Sequence, residues 1–171
     1  SSLGAGTEVS VHLPLPLVTV ADSSTQDAAP VDVAALQGLR VLAADDNEIN
    51  RHMLQGYLER FGVQVTMVED GTEALVRWEP GAFDLICLDI SMPELDGVTA
   101  LAEMDRIARR SGIARPPAVA VTANAMAHHV EEYLAAGFDA HLAKPIRREQ
   151  TGHTLAALLD AGVQSEVQRA T

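Results

Sequence analysis

Three carboxylates and one ammonium group in this sequence follow runs of apolar residues. Asp45 and Asp46 come directly after the first run, Asp89 ends a later one, and Lys144 closes a third and is followed by proline. Carboxylate oxygens are ligands that suit Mg²⁺, and a lysine ammonium group suits a phosphoryl group. If these runs are strands that end at one edge of a sheet, the four groups form a site for magnesium and a phosphoryl group.

Mutual repulsion among the three carboxylates requires a compensating cation. Two unit charges about 4 Å apart repel by roughly 4 kcal/mol at an effective dielectric constant of 20. Magnesium meets this requirement because it is commonly held by one or two carboxylates together with water and phosphate. The loop after Asp89 contains proline and glycine. We therefore expect this loop to present the Asp89 carboxylate in the open.

Strand and helix patterns alternate five times from residue 39 onwards. The predicted strands cover residues 39–44, 63–68, a third segment that ends at Asp89, 117–122 and 139–143. Short connections between such strands require crossovers, so the sheet is predicted to be parallel and covered by helices on both faces. Ligands of these sheets bind beyond the carboxyl ends of the strands. The predicted strand ends carry Asp45, Asp46, Asp89, Thr122 and Lys144.

Helical spacing and apolar character also predict which residues pack inside the fold. The first helix is predicted to begin after Asn47 as N-cap and to stop at Gly62. Its predicted apolar face consists of Ile49, Met53, Tyr57, Leu58 and Phe61. Cys87 within the third strand is assigned to packing, and Trp78 is expected to cap the second helix against the core.

Composition and charge exclude several classes of protein. The chain has 171 residues and a formal net charge of −12, which disfavours a nucleic-acid partner because phosphates would be repelled. Cys87 is the only cysteine, so a reducing compartment is expected. No apolar stretch approaches the roughly 18 to 20 residues that cross a bilayer, and the start does not resemble a signal peptide. We therefore expect a soluble, cytoplasmic segment without a membrane partner.

Patterning divides the chain into four parts. Residues 1–17 alternate as in a strand, and residues 18–37 have the composition of a linker. The alternating strands and helices occupy residues 38–162, and residues 163–171 remain as a C-terminal tail. About a dozen residues follow the last predicted helix, and we expect no separate output domain within so short a stretch.

From about residue 38 to residue 159, the chain resembles the receiver domain of two-component signalling proteins. The resemblance rests on four motifs: the Asp45-Asp46 pair, Asp89 in DLICLDISMPELDG, Thr122 in VAVTANA, and Lys144 in GFDAHLAKP. It implies a flavodoxin-like (βα)5 fold, with a central parallel sheet of five strands in the order 2-1-3-4-5.

The resemblance also implies roles for the site residues. Asp89 would be the phosphoacceptor that takes a phosphoryl group from phosphohistidine, with Lys144 and Thr122 contacting the phosphoryl oxygens. Mg²⁺ would be ligated by Asp46, Asp89 and the backbone carbonyl of Ser91, with Asp45 acting largely through water.

Four side chains near the site receive regulatory roles from the same resemblance. Ser91 and Asn124 would set the lifetime of the phosphorylated state. Thr122 would switch conformation together with an aromatic residue three positions before the lysine. His141 occupies that position here.

Residues 4–16 resemble the final strand of a histidine-kinase ATP-binding domain. A kinase end, a linker and a receiver in this order imply a hybrid histidine kinase as the parent protein, although this segment would not be a kinase by itself. The expected partners are a phosphohistidine donor, either a kinase core or a histidine phosphotransfer protein, and kinase domains on which the receiver docks intramolecularly.

Two alternative functions remain open. A degenerate receiver would act only as a protein-binding module, but it would normally lack Asp89, Asp46 or Lys144, and all three are present. A phosphatase that works through an aspartyl phosphate typically needs a second acid two residues after its nucleophile. Ser91 occupies that position here.

Overall fold

The computed structural model of the chain describes residues 33–169, with side chains described for residues 34–160. The predicted strand at residues 1–17 and most of the predicted linker lie outside the described residues. The domain boundaries therefore stay a prediction for that part of the chain.

A five-stranded parallel sheet forms the centre of the fold, in the order β2-β1-β3-β4-β5. The strands are β1 Arg40–Ala44, β2 Gln64–Val68, β3 Leu85–Asp89, β4 Ala118–Thr122 and β5 Ala140–Ala143. The helices are α1 Glu48–Arg60, α2 Gly71–Arg77, α3 Gly97–Ser111, α4 Ala127–Ala135 and α5 Arg148–Arg169, and a 3₁₀ helix, Val33–Leu36, precedes β1. The predicted flavodoxin-like fold and its strand order are confirmed.

Each face of the sheet carries its own apolar core. On one face, α2 and α3 contribute Ala74, Leu101 and Met104, and Trp78 at the end of α2 is buried there as expected. On the other face, Leu54 of α1 and Leu155 of α5 pack with Cys87 and other strand residues. Burial raises the pKa of the Cys87 thiol to about 12, so its predicted role in packing agrees with its surroundings.

The predicted apolar face of α1 is wrong at its first two positions. Ile49 is 70% exposed and Met53 is 37% exposed, whereas Leu54 and Leu58 are fully buried. Helical spacing identifies candidate stripes, but the rotation of the helix against the sheet selects the buried one. The predicted ends of the helix agree better: Asn47 accepts hydrogen bonds from the backbone N–H groups of Ile49 and Asn50.

The folded part extends beyond both predicted boundaries of the receiver segment. Leu36, within the predicted linker, is fully buried in the core between α1 and α5, and its 3₁₀ helix contacts α5. At the other end, α5 continues to Arg169, past the predicted start of a tail at residue 163. None of the helices in the described part of the chain is both long and apolar enough to span a bilayer.

Candidate functional site

The acidic cluster consists of Asp45, Asp46 and Asp89, which the pairing of β1 with β3 brings to one edge of the sheet. One carboxylate oxygen of each lies within 4.8 Å of the others. Asp45 and Asp89 are 1% and 2% exposed, and Asp46 is exposed. The expectation that the Asp89 carboxylate is in the open is therefore wrong, because neighbouring side chains and the loop after β3 cover it.

Lys144 pairs with two members of the acidic cluster. Its Nζ atom donates to Asp89 Oδ2 over 2.5 Å and lies 2.9 Å from Asp45 Oδ2. The backbone holds this lysine in place, since its N–H donates to the carbonyl of Thr122 and a cis peptide bond joins it to Pro145. One ammonium group thus neutralises part of the charge of two buried carboxylates.

Burial and hydrogen bonding set the pKa values of Asp89 and Lys144. Burial raises the pKa of Asp89, and hydrogen bonds from Lys144 and from the Ser91 backbone only partly oppose this effect. Burial by itself would lower the pKa of Lys144, but hydrogen bonds to Asp89 and Asp45 outweigh it and raise the pKa overall. Lys144 is therefore a charged ammonium group at neutral pH.

The hydrogen bonding of Asp45 leaves one oxygen suited to a cation. Oδ1 accepts from the Asn47 N–H at 3.0 Å and from Asn50 Nδ2 at 3.1 Å. Oδ2 is buried and has the ion pair with Lys144 but no hydrogen bond of good geometry. A buried carboxylate oxygen directed into a group of three acids fits a hard cation such as Mg²⁺.

Asn50 and Arg51 position the acidic loop, and neither residue was predicted to do so. Arg51 Nη1 donates to the backbone carbonyls of Asp45 and Asp46 at 2.9 and 3.0 Å. Its Nη2 atom donates to Glu69 after β2. Asn50 and Arg51 lie in the first turn of α1, directly after the acidic pair. This position is the signal that could have identified them.

The loop that follows β3 folds back over Asp89. The Ser91 N–H donates to Asp89 Oδ1 over 3.1 Å, and the Gly97 N–H donates to the Ile90 carbonyl. A Cβ atom at Gly97 would overlap the backbone carbonyl of Asp89, so only glycine fits where α3 begins. The Ser91 carbonyl as a metal ligand stays a prediction.

Thr122 ends β4 and is 3% exposed. Its Oγ1 atom accepts from the Asn124 N–H at 3.0 Å and lies 3.2 Å from Tyr133 Oη of α4. The contact with Tyr133 was not predicted. His141 lies on the neighbouring strand β5 opposite Ala120, half-buried, and the described residues offer its side chain no hydrogen bond.

Comparison with known families gives one match that covers most of the chain. Residues 41–156 match the response regulator receiver domain family. Among curated proteins, the peroxide stress-activated histidine kinase mak1 of Schizosaccharomyces pombe is 34% identical over 138 residues. That alignment covers 79% of this chain and 8% of mak1. The chain thus spans only a small part of the length of this relative.

Solved structures agree with the family match. The receiver domain of the sensor histidine kinase PA1611 from Pseudomonas aeruginosa, with magnesium coordinated in its active-site cleft, has a TM-score of 0.63 and 33% identity. It covers 72% of this chain and 98% of its own. The receiver domain of Ssk1, crystallised with the histidine phosphotransfer protein Ypd1 of Saccharomyces cerevisiae, has a TM-score of 0.63 and 25% identity, over 67% and 84% of the two chains.

Proposed function

The chain belongs to the response regulator receiver domain family, and we propose that its Asp89 accepts a phosphoryl group from phosphohistidine in a two-component phosphorelay. The observation that carries the proposal is the contact of Asp89 with Lys144 inside the acidic cluster. Asp89 is 2% exposed, its Oδ2 is 2.5 Å from the ammonium nitrogen, and two more carboxylates lie within 4.8 Å.

The transfer joins a carboxylate oxygen of Asp89 to phosphorus while the bond from phosphorus to the donor imidazole breaks. The imidazole nitrogen keeps the electron pair of that bond, and the product is an aspartyl phosphate on Asp89. Positioning and charge neutralisation supply most of the catalysis in such transfers. Lys144 would neutralise the phosphoryl oxygens, and the Thr122 hydroxyl would donate a hydrogen bond to one of them.

The acidic cluster also fits the cofactor of this chemistry. We propose that Asp46, Asp89 and the Ser91 backbone carbonyl ligate Mg²⁺, and that Asp45 acts largely through water. Two features support this assignment: the three carboxylates converge, and Asp45 Oδ2 has no hydrogen bond of good geometry. When bound, the ion supplies positive charge that offsets the carboxylates and the phosphoryl group. Magnesium in the PA1611 receiver, at 33% identity, points the same way.

We propose that the parent protein is a hybrid histidine kinase and that this segment is its receiver. The donor would be a kinase core or a histidine phosphotransfer protein, and docking on kinase domains of the same chain would bring donor and acceptor together. The match to mak1 supports a histidine kinase as the parent protein. The pairing of the Ssk1 receiver with Ypd1 supports a histidine phosphotransfer protein as the partner. The cytoplasmic location stays a prediction.

Ser91 and Asn124 are proposed to set the lifetime of the phosphorylated state. Both follow a site residue by two positions, and each backbone N–H donates to that residue's side chain, Asp89 or Thr122. The hydroxyl of Ser91 cannot replace the carboxylic acid of an aspartyl-phosphate phosphatase, and the complete cluster disfavours a degenerate binding module. No observation in the described residues favours either alternative.

The proposal is tested by phosphorylation with acetyl phosphate and magnesium, followed by intact mass. The parent protein should gain one phosphoryl group, and Asp89→Asn should gain none. Asp96→Asn is the matched control, because Asp96 caps α3 outside the cluster and asparagine caps equally well. The control should label like the parent. An adduct on Asp89→Asn equal to that on the parent would move the acceptor elsewhere.

A further inference from the structure

Helix α4 makes few contacts that hold it against the sheet. None of its residues is buried, and its N-cap residue Met126 makes no side-chain hydrogen bond. Tyr133 is the residue of α4 that packs against the core on the α2 and α3 face. Its Oη atom lies 3.2 Å from Thr122 Oγ1 at the end of β4. This hydrogen bond joins the helix directly to the proposed phosphorylation site.

We propose that Tyr133 is a positioning residue that couples the state of the Asp89 site to helix α4 through the Thr122 hydroxyl. The inference rests on the proposed function, because it concerns what happens when Asp89 carries a phosphoryl group. Tyr133 would then be the aromatic residue that switches together with Thr122, a role that the receiver resemblance gives to the position of His141.

The hydrogen bonds of Thr122 explain why its contact with Tyr133 competes with a contact to a phosphoryl group on Asp89. In this structure Oγ1 is bonded to Asn124 and Tyr133, and to no member of the acidic cluster. Because Oγ1 has no bond to the acidic cluster here, it must move from Tyr133 toward Asp89 before it can donate its proton to a phosphoryl oxygen there. Phosphorylation therefore breaks the bond between Thr122 and Tyr133. Conversely, that bond favours the unphosphorylated arrangement.

His141 is less suited to sense Thr122 than Tyr133 is. Register places His141 opposite Ala120, and the partner of Thr122 on β5 is Ala143. The His141 side chain instead lines a groove with Val130 and Leu134 of α4. It has no hydrogen bond to Thr122 among the described residues.

The ring of Tyr133 continues toward the outer surface of α4. His129 stacks on it with ring centroids 6.4 Å apart and an interplanar angle of 17°. The Nδ1 atom of His129 lies 3.2 Å from Glu132 Oε2, an exposed carboxylate. A change at Thr122 thus reaches surface residues of α4 through one aromatic side chain.

Tyr133→Phe tests the inference because it removes one hydroxyl and keeps the ring. A net hydrogen bond contributes about 0.5–1.5 kcal/mol, which corresponds to a shift of about two- to tenfold in the equilibrium. Amide hydrogen exchange at residues 127–135 of the unphosphorylated variant should be faster by that factor. Labelling by acetyl phosphate with magnesium should also be faster by about two- to tenfold. Tyr57→Phe on α1, the other tyrosine of the sequence, is the matched control and should change neither rate.

A double variant separates coupling from simple packing. In a Thr122→Val background the partner hydroxyl is absent, so Tyr133→Phe should change α4 exchange no further. If Tyr133→Phe exchanges and labels like the parent, or has the same effect with and without Thr122, the inference is wrong. If the parent itself does not label, the proposed function fails, and this inference fails with it.

Discussion

The Nζ atom of Lys144 lies between two buried carboxylates, 2.5 Å from Asp89 Oδ2 and 2.9 Å from Asp45 Oδ2. These residues are far apart in sequence and meet because β1, β3 and β5 end at the same edge of the parallel sheet. The ammonium group offsets the repulsion between the two acids. The same ammonium group also reduces the net negative charge of the acidic cluster that a bound cation would meet.

Lys144→Met should lower both stability and reactivity. Loss of the ammonium group leaves two buried carboxylates without a counter-charge, which should cost about 3 kcal/mol of unfolding free energy in EDTA. Labelling by acetyl phosphate should slow by about 10²-fold, because a donor to the phosphoryl oxygens is removed. Urea unfolding with and without magnesium measures the first effect. Magnesium should stabilise this variant more than the parent, and equal stabilisation would contradict the shared-charge account.

Asp46→Asn should weaken magnesium binding without unfolding the domain. Asp46 is exposed, and its side chain makes no hydrogen bond or ion pair within the described residues, so its removal costs little stability. A lost carboxylate ligand should reduce the affinity by about tenfold or more. Calorimetric titration with magnesium measures the change. Asp70→Asn, which preserves the N-cap of α2, serves as control, and an unchanged affinity for Asp46→Asn would remove Asp46 from the ligand set.

Gly97→Ala should damage the site through the backbone. The new methyl group would overlap the Asp89 carbonyl, so the start of α3 must move away from β3. We expect a loss of about 2 kcal/mol of unfolding free energy together with slower phosphorylation. Gly56→Ala in α1 is the matched control, because nothing lies within 4 Å of its added Cβ. It should stabilise by about 0.5–1 kcal/mol, and a Gly97→Ala protein of parental stability would show that the close approach is not required.

Leu36→Ala should show that the 3₁₀ helix belongs to the folded domain. Leu36 is fully buried, and its truncation should cost about 2–4 kcal/mol of unfolding free energy. Val76→Ala, at a position that is 76% exposed, should change the stability by less than about 0.5 kcal/mol. Chemical denaturation compares the two. Equal effects would place Leu36 outside the core in solution.

Asp84→Asn should have an effect that depends on pH. Hydrogen bonds from Arg40 lower the pKa of Asp84 below its ordinary value of 3.8 in the folded protein. The ionised carboxylate therefore stabilises the fold above that pH, and the contribution is lost as the pH falls through the folded pKa. The difference in urea midpoint between parent and variant should be present at pH 7 and shrink below pH 3.8. A difference that stays constant across this pH range for Asp84→Asn would contradict the ion pair.

Much of the site was predictable because parallel topology fixes where strands end. Asp45, Asp89 and Lys144 each follow a recognisable apolar run, so their meeting follows from the order of the strands. Long-range contacts of side chains were not predictable in this way. Tyr133 reaches Thr122 only because α4 has a particular rotation and distance from β4, and neither is encoded in local spacing.

Long-range contacts, which local spacing does not encode, also explain two errors in the predicted packing. Ile49 and Met53 share helical spacing with Leu58, which is buried as predicted, but the rotation of α1 buries Leu54 and leaves Ile49 and Met53 exposed. Leu36 stands in a segment whose composition indicates a linker, and only its contact with α5 shows that it is core. Burial of Asp89 depends likewise on the loop that folds back to Gly97.

Lys144 is the only lysine in the sequence. Protein grown with isotope-labelled lysine would therefore give a single backbone resonance and a single set of side-chain resonances, all arising from the ammonium-bearing residue between Asp45 and Asp89. Metal entry, acyl-phosphate formation and hydrolysis could each be followed in real time through that one spectroscopic reporter, without assigning any other signal.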